Sequence, residues 1–220
     1  NLQRTSSVFS ETKPNTTYEN ILQNLRPELD KLELPKGVKI LVAGTSQESD
    51  KANKALGGAV PIGMILLLMF VLIEFNSFLK VLIILITIPL AFAGVPIGLL
   101  LTNTTFGFTA ILGVLALVGI VVNNAIVLLD LIQKNLDKEL EFNNAIIQAV
   151  KRRARPILLT TITTVAGLFP LVITKSTLWP PLAWTIISGL LVSTFMSLLV
   201  VPALYRLLMR TKESKFSFNF

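Results

Sequence analysis

Four long stretches without a charged residue constrain this chain more than any other feature of its sequence. They cover residues 55–73, 81–129, 156–174 and 176–205, and their lengths are 19, 49, 19 and 30 residues. A helix needs about 20 apolar residues to cross the hydrocarbon core of a bilayer. Only 15% of the chain is charged, whereas a soluble domain has about 25%. The sequence therefore predicts a membrane protein.

The number of membrane crossings follows from how these stretches divide. The 49-residue stretch is too long for one crossing, and the polar residues 102–105 divide it into two. Pro180 and Pro181 near the start of the last stretch predict a loop there. The apolar runs are continuous, which favours helices over the short alternating strands of a barrel. We predict an all-α bundle within residues 55–209, with five transmembrane helices at about 56–75, 79–101, 106–131, 157–174 and 183–208.

The distribution of Lys and Arg predicts the orientation of the bundle, because cytoplasmic loops are enriched in both residues. With the N-terminal segment outside, the outer loops between the spans contain one basic residue, Lys175. The inner loops and the C-terminal tail, residues 210–220, then contain eleven: Lys80, Lys134, Lys138, Lys151, Arg152, Arg153, Arg155, Arg206, Arg210, Lys212 and Lys215. We therefore expect a multi-pass membrane protein with its N-terminus outside and its C-terminus in the cytoplasm.

The first 54 residues are polar enough to lie outside the membrane. Thr16 and Glu19 form a possible capping box for a helix, and residues 38–42 predict a short strand after a Pro-Lys-Gly turn. One helix and one strand cannot close a core. We therefore expect the end of a partial α+β extramembrane domain. Because the first residue is Asn1 rather than Met, we expect the chain to be part of a larger product.

A second amphipathic helix is predicted in the cytoplasmic loop, at about residues 137–152. Its apolar positions are Phe142, Ala145, Ile146, Ala149 and Val150, which share one helix face. Two arrangements remain open. The helix lies on the inner membrane surface, or it is a linker packed on the bundle.

Polar side chains inside the spans are the candidate functional residues, because polar groups are costly in hydrocarbon. The third span contains Asn123, Asn124 and Asp130, and the first and last of these share a helix face. The fourth span contains Thr160. The alternative is structural, since Asn can join helices and Thr can bond to its own helix. Gly94 and Gly98 have the spacing that allows close helix packing.

Several functions are excluded by what the sequence lacks. Cys and His are both absent, which excludes disulfides and any zinc site built from these residues. No phosphate-binding loop and no nucleophile with a base are present. The net charge of +7 is explained by topology, so no nucleic-acid partner is predicted. We expect no enzyme activity and no cofactor other than an ion gradient.

Three segments resemble the resistance-nodulation-division (RND) efflux transporters. Residues 119–130, Gly-Ile-Val-Val-Asn-Asn-Ala-Ile-Val-Leu-Leu-Asp, resemble the motif of their tenth helix. Residues 153–161, Arg-Ala-Arg-Pro-Ile-Leu-Leu-Thr-Thr, are similar to the start of their eleventh helix, and residues 201–205 to the end of their twelfth. Residues 26–29 and 34–38 are similar to the end of their porter domain. The resemblance covers essentially the whole chain in order.

This resemblance implies a larger machine of the bacterial inner membrane, with twelve membrane helices and a periplasmic porter domain. It also implies that the N-terminus of this chain is periplasmic and its C-terminus cytoplasmic. The chain would supply the end of the porter domain and helices eight to twelve. The implied partners are membrane lipid, the missing N-terminal half of the same transporter, two further copies in a homotrimer, a periplasmic adaptor and an outer-membrane channel. The implied function is drug/proton antiport driven by the proton gradient.

In this family a proton relay links acidic residues on the fourth helix to the tenth helix. The resemblance places Thr160 on the relay threonine and Arg153 on a basic relay residue near the inner surface. Asn123 falls where the best-known drug pumps have a lysine. Either the coupling geometry differs here or Asp130 takes a larger part.

Two other functions remain open. The chain could belong to another exporter of the same superfamily, for lipids or for protein translocation. It could also be a non-transporting membrane scaffold subunit. The transport hypothesis predicts that Asn123 and Thr160 face each other and a common cavity, whereas the scaffold hypothesis predicts that they face packed apolar neighbours.

Overall fold

The computed structural model describes residues 18–29, 31–32, 45–174, 176 and 178–216, and in these ranges every regular element is a helix. The helices are α1 (Tyr18–Leu29), α2 (Thr45–Phe75), α3 (Phe78–Phe92), α4 (Gly94–Leu101), α5 (Phe108–Leu136), α6 (Phe142–Ile173) and α7 (Trp179–Phe216). The predicted strand at residues 38–42 and the first residue of the predicted capping box lie outside the described residues.

The five predicted membrane crossings are confirmed. Within the described ranges, the segments long and apolar enough to span a bilayer are Ala52–Phe75, Phe78–Leu101, Phe108–Leu136, Phe142–Ile173 and Trp179–Met209. The second crossing consists of α3 and α4, which are separated by a turn at Ala93. Pro89 lies inside α3 one turn earlier, where its missing N–H weakens the helix.

Two predicted boundaries differ from the structure. Pro180 and Pro181 are not in a loop but in the first turn of α7. This position tolerates proline because the first N–H groups of a helix have no partner within it. Helix α2 begins at Thr45 rather than near residue 56, so the helix extends past the apolar segment into polar sequence.

The amphipathic segment predicted between the third and fourth spans is not a separate helix. It begins at Phe142, after a turn in which Glu139 has a φ of 61°, and continues without interruption into α6. Ala145, Ile146 and Ala149 are buried in the bundle core. The ring of Phe142 stacks on Tyr205 of α7 with 6.1 Å between centroids. Of the two arrangements left open by the sequence, the structure has the one packed on the bundle.

A buried amide joins α5 to the start of α6. The Asn135 side chain is 2% exposed, and its Nδ2 donates a hydrogen bond of 2.9 Å to the carbonyl oxygen of Ala145. A buried amide without a partner would be costly, so this bond fixes the position of α6 relative to the end of α5.

Helix α7 is the centre of the bundle and is in contact with α3, α4, α5 and α6. In its membrane-crossing window 44% of the residues are buried, compared with 6% for α2 and 11% for α6. Small residues make this packing possible. A Cβ atom added to Gly94 would lie 2.7 Å from the Ser188 carbonyl oxygen, and one added to Gly98 would overlap the Ser188 side chain. The structure thus places both glycines against α7.

Candidate functional site

Helix α5 has one buried side and one exposed side, and the candidate asparagines lie toward the exposed side. The buried side includes Val121, Val122 and Ala125. Asn123 is exposed and Asn124 is half-buried. Neither side chain has a hydrogen-bond partner among the described residues. An unpaired amide in the middle of an apolar span is costly in lipid, so this side of α5 has the character of a protein contact.

Asp130 is on the same side of α5 as Asn123 but makes a separate interaction. Its carboxylate accepts a 2.7 Å hydrogen bond from the Lys134 Nζ, one helical turn further on. Seven residues separate Asp130 from Asn123, which is about 10 Å along a helix. The structure therefore does not bring these two side chains into contact. Because Lys134 is 64% exposed, the ion pair contributes little to stability.

Three threonines of α6 occupy different environments. Thr160 and Thr163 are exposed. The Thr160 hydroxyl donates a 2.9 Å hydrogen bond to the carbonyl oxygen of Ile157, and the Thr163 hydroxyl donates one of the same length to that of Leu159. Thr161 is buried. Its Oγ1 lies 2.7 Å from the Oγ1 of Thr194 in α7. Thr161 therefore joins two helices, while Thr160 keeps its oxygen available as an acceptor on the surface.

The exposed surface of α6 consists of two stripes with different compositions. The first, here called the polar stripe of α6, contains exposed small, polar or proline residues at helical spacing: Pro156, Thr160, Thr163, Gly167, Pro170 and Thr174. The second, the apolar stripe of α6, contains large exposed hydrophobic residues: Leu158, Leu159, Ile162, Phe169 and Ile173. Apolar side chains suit lipid, whereas small and polar residues are typical of helix contacts in membranes.

Helix α5 has a matching polar stripe, formed by exposed Ala116, Gly119 and Asn123. A Cβ atom added to Gly119 or to Gly167 would meet nothing within 4 Å. These glycines therefore leave open space beside the two stripes, unlike Gly94 and Gly98. Helices α5 and α6 are in contact. Asn123 and Thr160 thus lie on exposed polar stripes of neighbouring helices, and no hydrogen bond joins their side chains within the described residues.

Arg153 is half-buried near the start of α6, two helical turns before Thr160 and on the same side. Within the described residues it forms no ion pair or hydrogen bond. Lys151, Arg152 and Arg155 surround it in sequence, and all three are exposed. Arg152, four residues before Pro156, and Arg153 are both near the end of the polar stripe, and Arg153 is the half-buried one of the two.

A groove of about 250 Å³ lies between α3 and α5 and does not provide a polar site, because its lining is apolar: Ile88, Pro89, Ala91, Phe92, Val114, Leu117 and Val118. Among the described residues, no group of three or more acidic side chains could hold a metal ion.

Polarity within the spans identified the asparagines in the sequence. It did not single out Thr194, because the last span contains several hydroxyl residues and their spacing does not show which of them contacts α6.

Comparison with known proteins gives a consistent result. Residues 1–209 match the AcrB/AcrD/AcrF family. The swarming motility protein SwrC of Bacillus subtilis is 30% identical over 97% of the chain and 21% of its own length. The nickel and cobalt resistance protein CnrA of Cupriavidus metallidurans is 32% identical over 83% of the chain and 17% of its length. The multidrug resistance protein MdtC of Proteus mirabilis is 29% identical over 93% of the chain and 20% of its own length.

A solved structure has the same arrangement of helices. A crystal structure of a heavy metal efflux pump superimposes with a TM-score of 0.68 at 26% identity. The match covers 88% of this chain and 20% of the pump. The chain thus spans about a fifth of the length of the proteins that it matches.

Proposed function

Because this chain belongs to the AcrB/AcrD/AcrF family of RND efflux permeases, a family of transporters rather than enzymes, we propose that it is the C-terminal membrane part of a proton-driven exporter. Its five crossings would be helices eight to twelve of the complete transporter. The observation that supports this most strongly is the pair of exposed polar stripes on α5 and α6, with Asn123 and Thr160 at membrane depth.

The proposed occupant of the two polar stripes is the other membrane half of the transporter. An exposed amide such as that of Asn123 would be unstable against acyl chains. The open space beside Gly119 and Gly167 suits the close approach of another helix. In this family the acidic relay residues are on the fourth helix, so the stripes would meet carboxyl groups.

The hydrogen-bonding capacity of the two side chains suggests how protonation would be sensed. The Asn123 amide has two N–H donors for an ionised carboxylate. The Thr160 hydroxyl already donates to Ile157, so it offers an acceptor, which suits a protonated carboxyl. Loading a proton would shift the preferred partner from Asn123 toward Thr160. One charge crossing the membrane supplies about 2.3 kcal/mol per 100 mV, enough to bias such a two-state contact.

Asp130 and Arg153 would act at the cytoplasmic side of this contact. Asp130 is paired with Lys134, so a direct part in the relay would require that ion pair to break. Arg153 lies at the end of the polar stripe, where it could exchange hydrogen bonds with a carboxylate near the inner surface. We therefore assign the main coupling role to Asn123, supported by Asn124 and Thr160, and a secondary role to Asp130 and Arg153.

Two substrate classes are proposed as alternatives, organic drugs and divalent metal cations. Multidrug export follows from the sequence resemblance and from relatives such as the multidrug resistance protein MdtC. Export of divalent metal cations is favoured by the nickel and cobalt resistance protein CnrA and by the heavy metal efflux pump structure. The complete transporter would form a homotrimer with a periplasmic adaptor and an outer-membrane channel. Its N-terminal segment would be periplasmic and its C-terminus cytoplasmic.

The energy source can be tested in everted membrane vesicles that contain the full-length transporter. We expect an imposed proton gradient to drive uptake of a substrate, tested with organic drugs and with Co²⁺, Ni²⁺, Zn²⁺ and Cd²⁺. An uncoupler should stop this uptake even when ATP is present. Uptake that persists after the gradient collapses would contradict the proposal. The substrate that is taken up decides between drug export and metal-cation export.

A further inference from the structure

Three exposed basic residues at the start of α6 lie on the side of its apolar stripe or at the border of that side. Lys151, Arg152 and Arg155 are all exposed. Lys151 and Arg155 are four residues apart and share the side of the apolar stripe, while Arg152, three residues before Arg155, lies at the border between the apolar and polar stripes. None of them has an ion pair or a hydrogen bond within the described part of the chain. Three cationic groups therefore share one surface without a protein anion to neutralise them.

The apolar stripe continues from these residues directly into the membrane. Leu159, Ile162 and Ile173 are 60%, 64% and 67% exposed. The distance from Arg155 to Ile173 is 18 residues, or about 27 Å along a helix. A hydrocarbon core is about 30 Å thick. If the stripe spans that core, the three basic residues lie at the depth of the cytoplasmic headgroups.

The two stripes of α6 also separate this surface from the one proposed to meet the other membrane half. Arg153 is half-buried and continues the polar stripe, whereas Arg155 continues the apolar stripe. A large exposed hydrophobic surface at membrane depth is suited to acyl chains rather than to a polar partner. The occupant of this side is therefore lipid, and the free charges select its headgroup.

We propose that Lys151, Arg152 and Arg155 form a binding site for the phosphate headgroup of an anionic phospholipid of the cytoplasmic leaflet, with its acyl chains along the apolar stripe of α6. Guanidinium groups bind phosphate oxygens in a bidentate manner, and an ammonium group adds a point charge. Each basic residue near an anionic surface contributes about a fivefold gain in affinity. Three together give a gain on the order of 100-fold.

The site can be tested by native mass spectrometry of the full-length transporter, delipidated in detergent and titrated with dioleoyl phosphatidylglycerol or dioleoyl phosphatidylcholine. The triple variant Lys151→Gln/Arg152→Gln/Arg155→Gln should bind phosphatidylglycerol about 100-fold more weakly, and phosphatidylcholine unchanged. A matched control, Lys31→Gln/Lys54→Gln/Lys138→Gln, removes the same charge from other exposed positions. Its affinity should stay within about twofold of the unsubstituted protein, since the proposed site is local.

Further measurements distinguish a local lipid site from a general effect of net charge and from a site for free phosphate. Arg155→Gln alone should give about a fivefold loss, which provides a test if the triple variant does not fold. Millimolar inorganic phosphate should not displace the lipid, and soluble dihexanoyl phosphatidylglycerol should bind much more weakly than the dioleoyl form. The proposal would be overturned by an equal loss of phosphatidylglycerol affinity in the control variant, or by displacement of the lipid by phosphate. Unchanged phosphatidylglycerol affinity in both the triple variant and Arg155→Gln would also overturn it.

Discussion

Asn123→Ala in the full-length transporter is expected to abolish export while leaving the amount of protein in the membrane unchanged. The amide is exposed in a membrane-crossing helix and has no hydrogen-bond partner among the described residues. Its removal should therefore not weaken this half of the bundle. In the proposed mechanism the amide is the donor that holds an ionised carboxylate of the other half. Alanine cannot replace it, so protonation would no longer shift the contact.

The measurement is resistance of cells that depend on the transporter, with drugs and with metal cations as separate challenges. We expect resistance to fall to the level of cells without the transporter. Asn143→Ala is the matched control, because Asn143 is also an exposed asparagine but lies in the first turn of α6, outside the apolar part of that helix. The control should keep full resistance. Full resistance with Asn123→Ala would contradict the role assigned to this residue.

The second large effect concerns stability and the packing of α4 on α7. Gly98→Ala adds a methyl group where the Cβ and Oγ atoms of Ser188 already lie. Overpacking of this kind costs about 1–3 kcal/mol. Gly63→Ala is the control, since a Cβ atom there meets nothing within 4 Å. In the interior of a helix that change should be neutral or stabilising by up to about 1 kcal/mol.

Thermal unfolding in detergent should show a lower midpoint for Gly98→Ala and no decrease for Gly63→Ala. A second substitution tests the cause. Ser188→Gly removes the two atoms that clash, so the double variant Gly98→Ala/Ser188→Gly should recover most of the lost stability. If Gly98→Ala unfolds at the same temperature as Gly63→Ala, α4 does not pack on α7 as described.

The sequence predicted the membrane crossings well because charge is excluded from hydrocarbon for a reason that does not depend on the fold. It was weaker where a helix continues past the membrane. Nothing in the charge pattern shows that α2 starts at Thr45, or that the segment from Phe142 joins α6 as one helix. At the start of α6 the helix is supported by a tertiary contact that spacing does not reveal, the bond between Asn135 and Ala145.

The candidate site shows a similar limit. Polarity within apolar spans identified Asn123, Asp130 and Thr160, and helical spacing placed the first two on one side of α5. Spacing could not show which threonine of α6 is buried, and it is Thr161 that contacts Thr194. The partner of Asp130 could have been predicted, because Lys134 follows it at the four-residue spacing that favours an ion pair.

The central claim is that the polar stripes of α5 and α6 are covered by the other half of the transporter, whereas the apolar stripe of α6 faces lipid. Carbene labelling tests it directly. A photoactivated apolar diazirine dissolved in the bilayer labels lipid-facing residues of the unsubstituted full-length transporter, and peptide mass spectrometry locates the label. We predict labelling at Ile162 and Phe169 and none at Asn123 or Gly119. Labelling of Asn123 to the same extent as Ile162 would contradict the account.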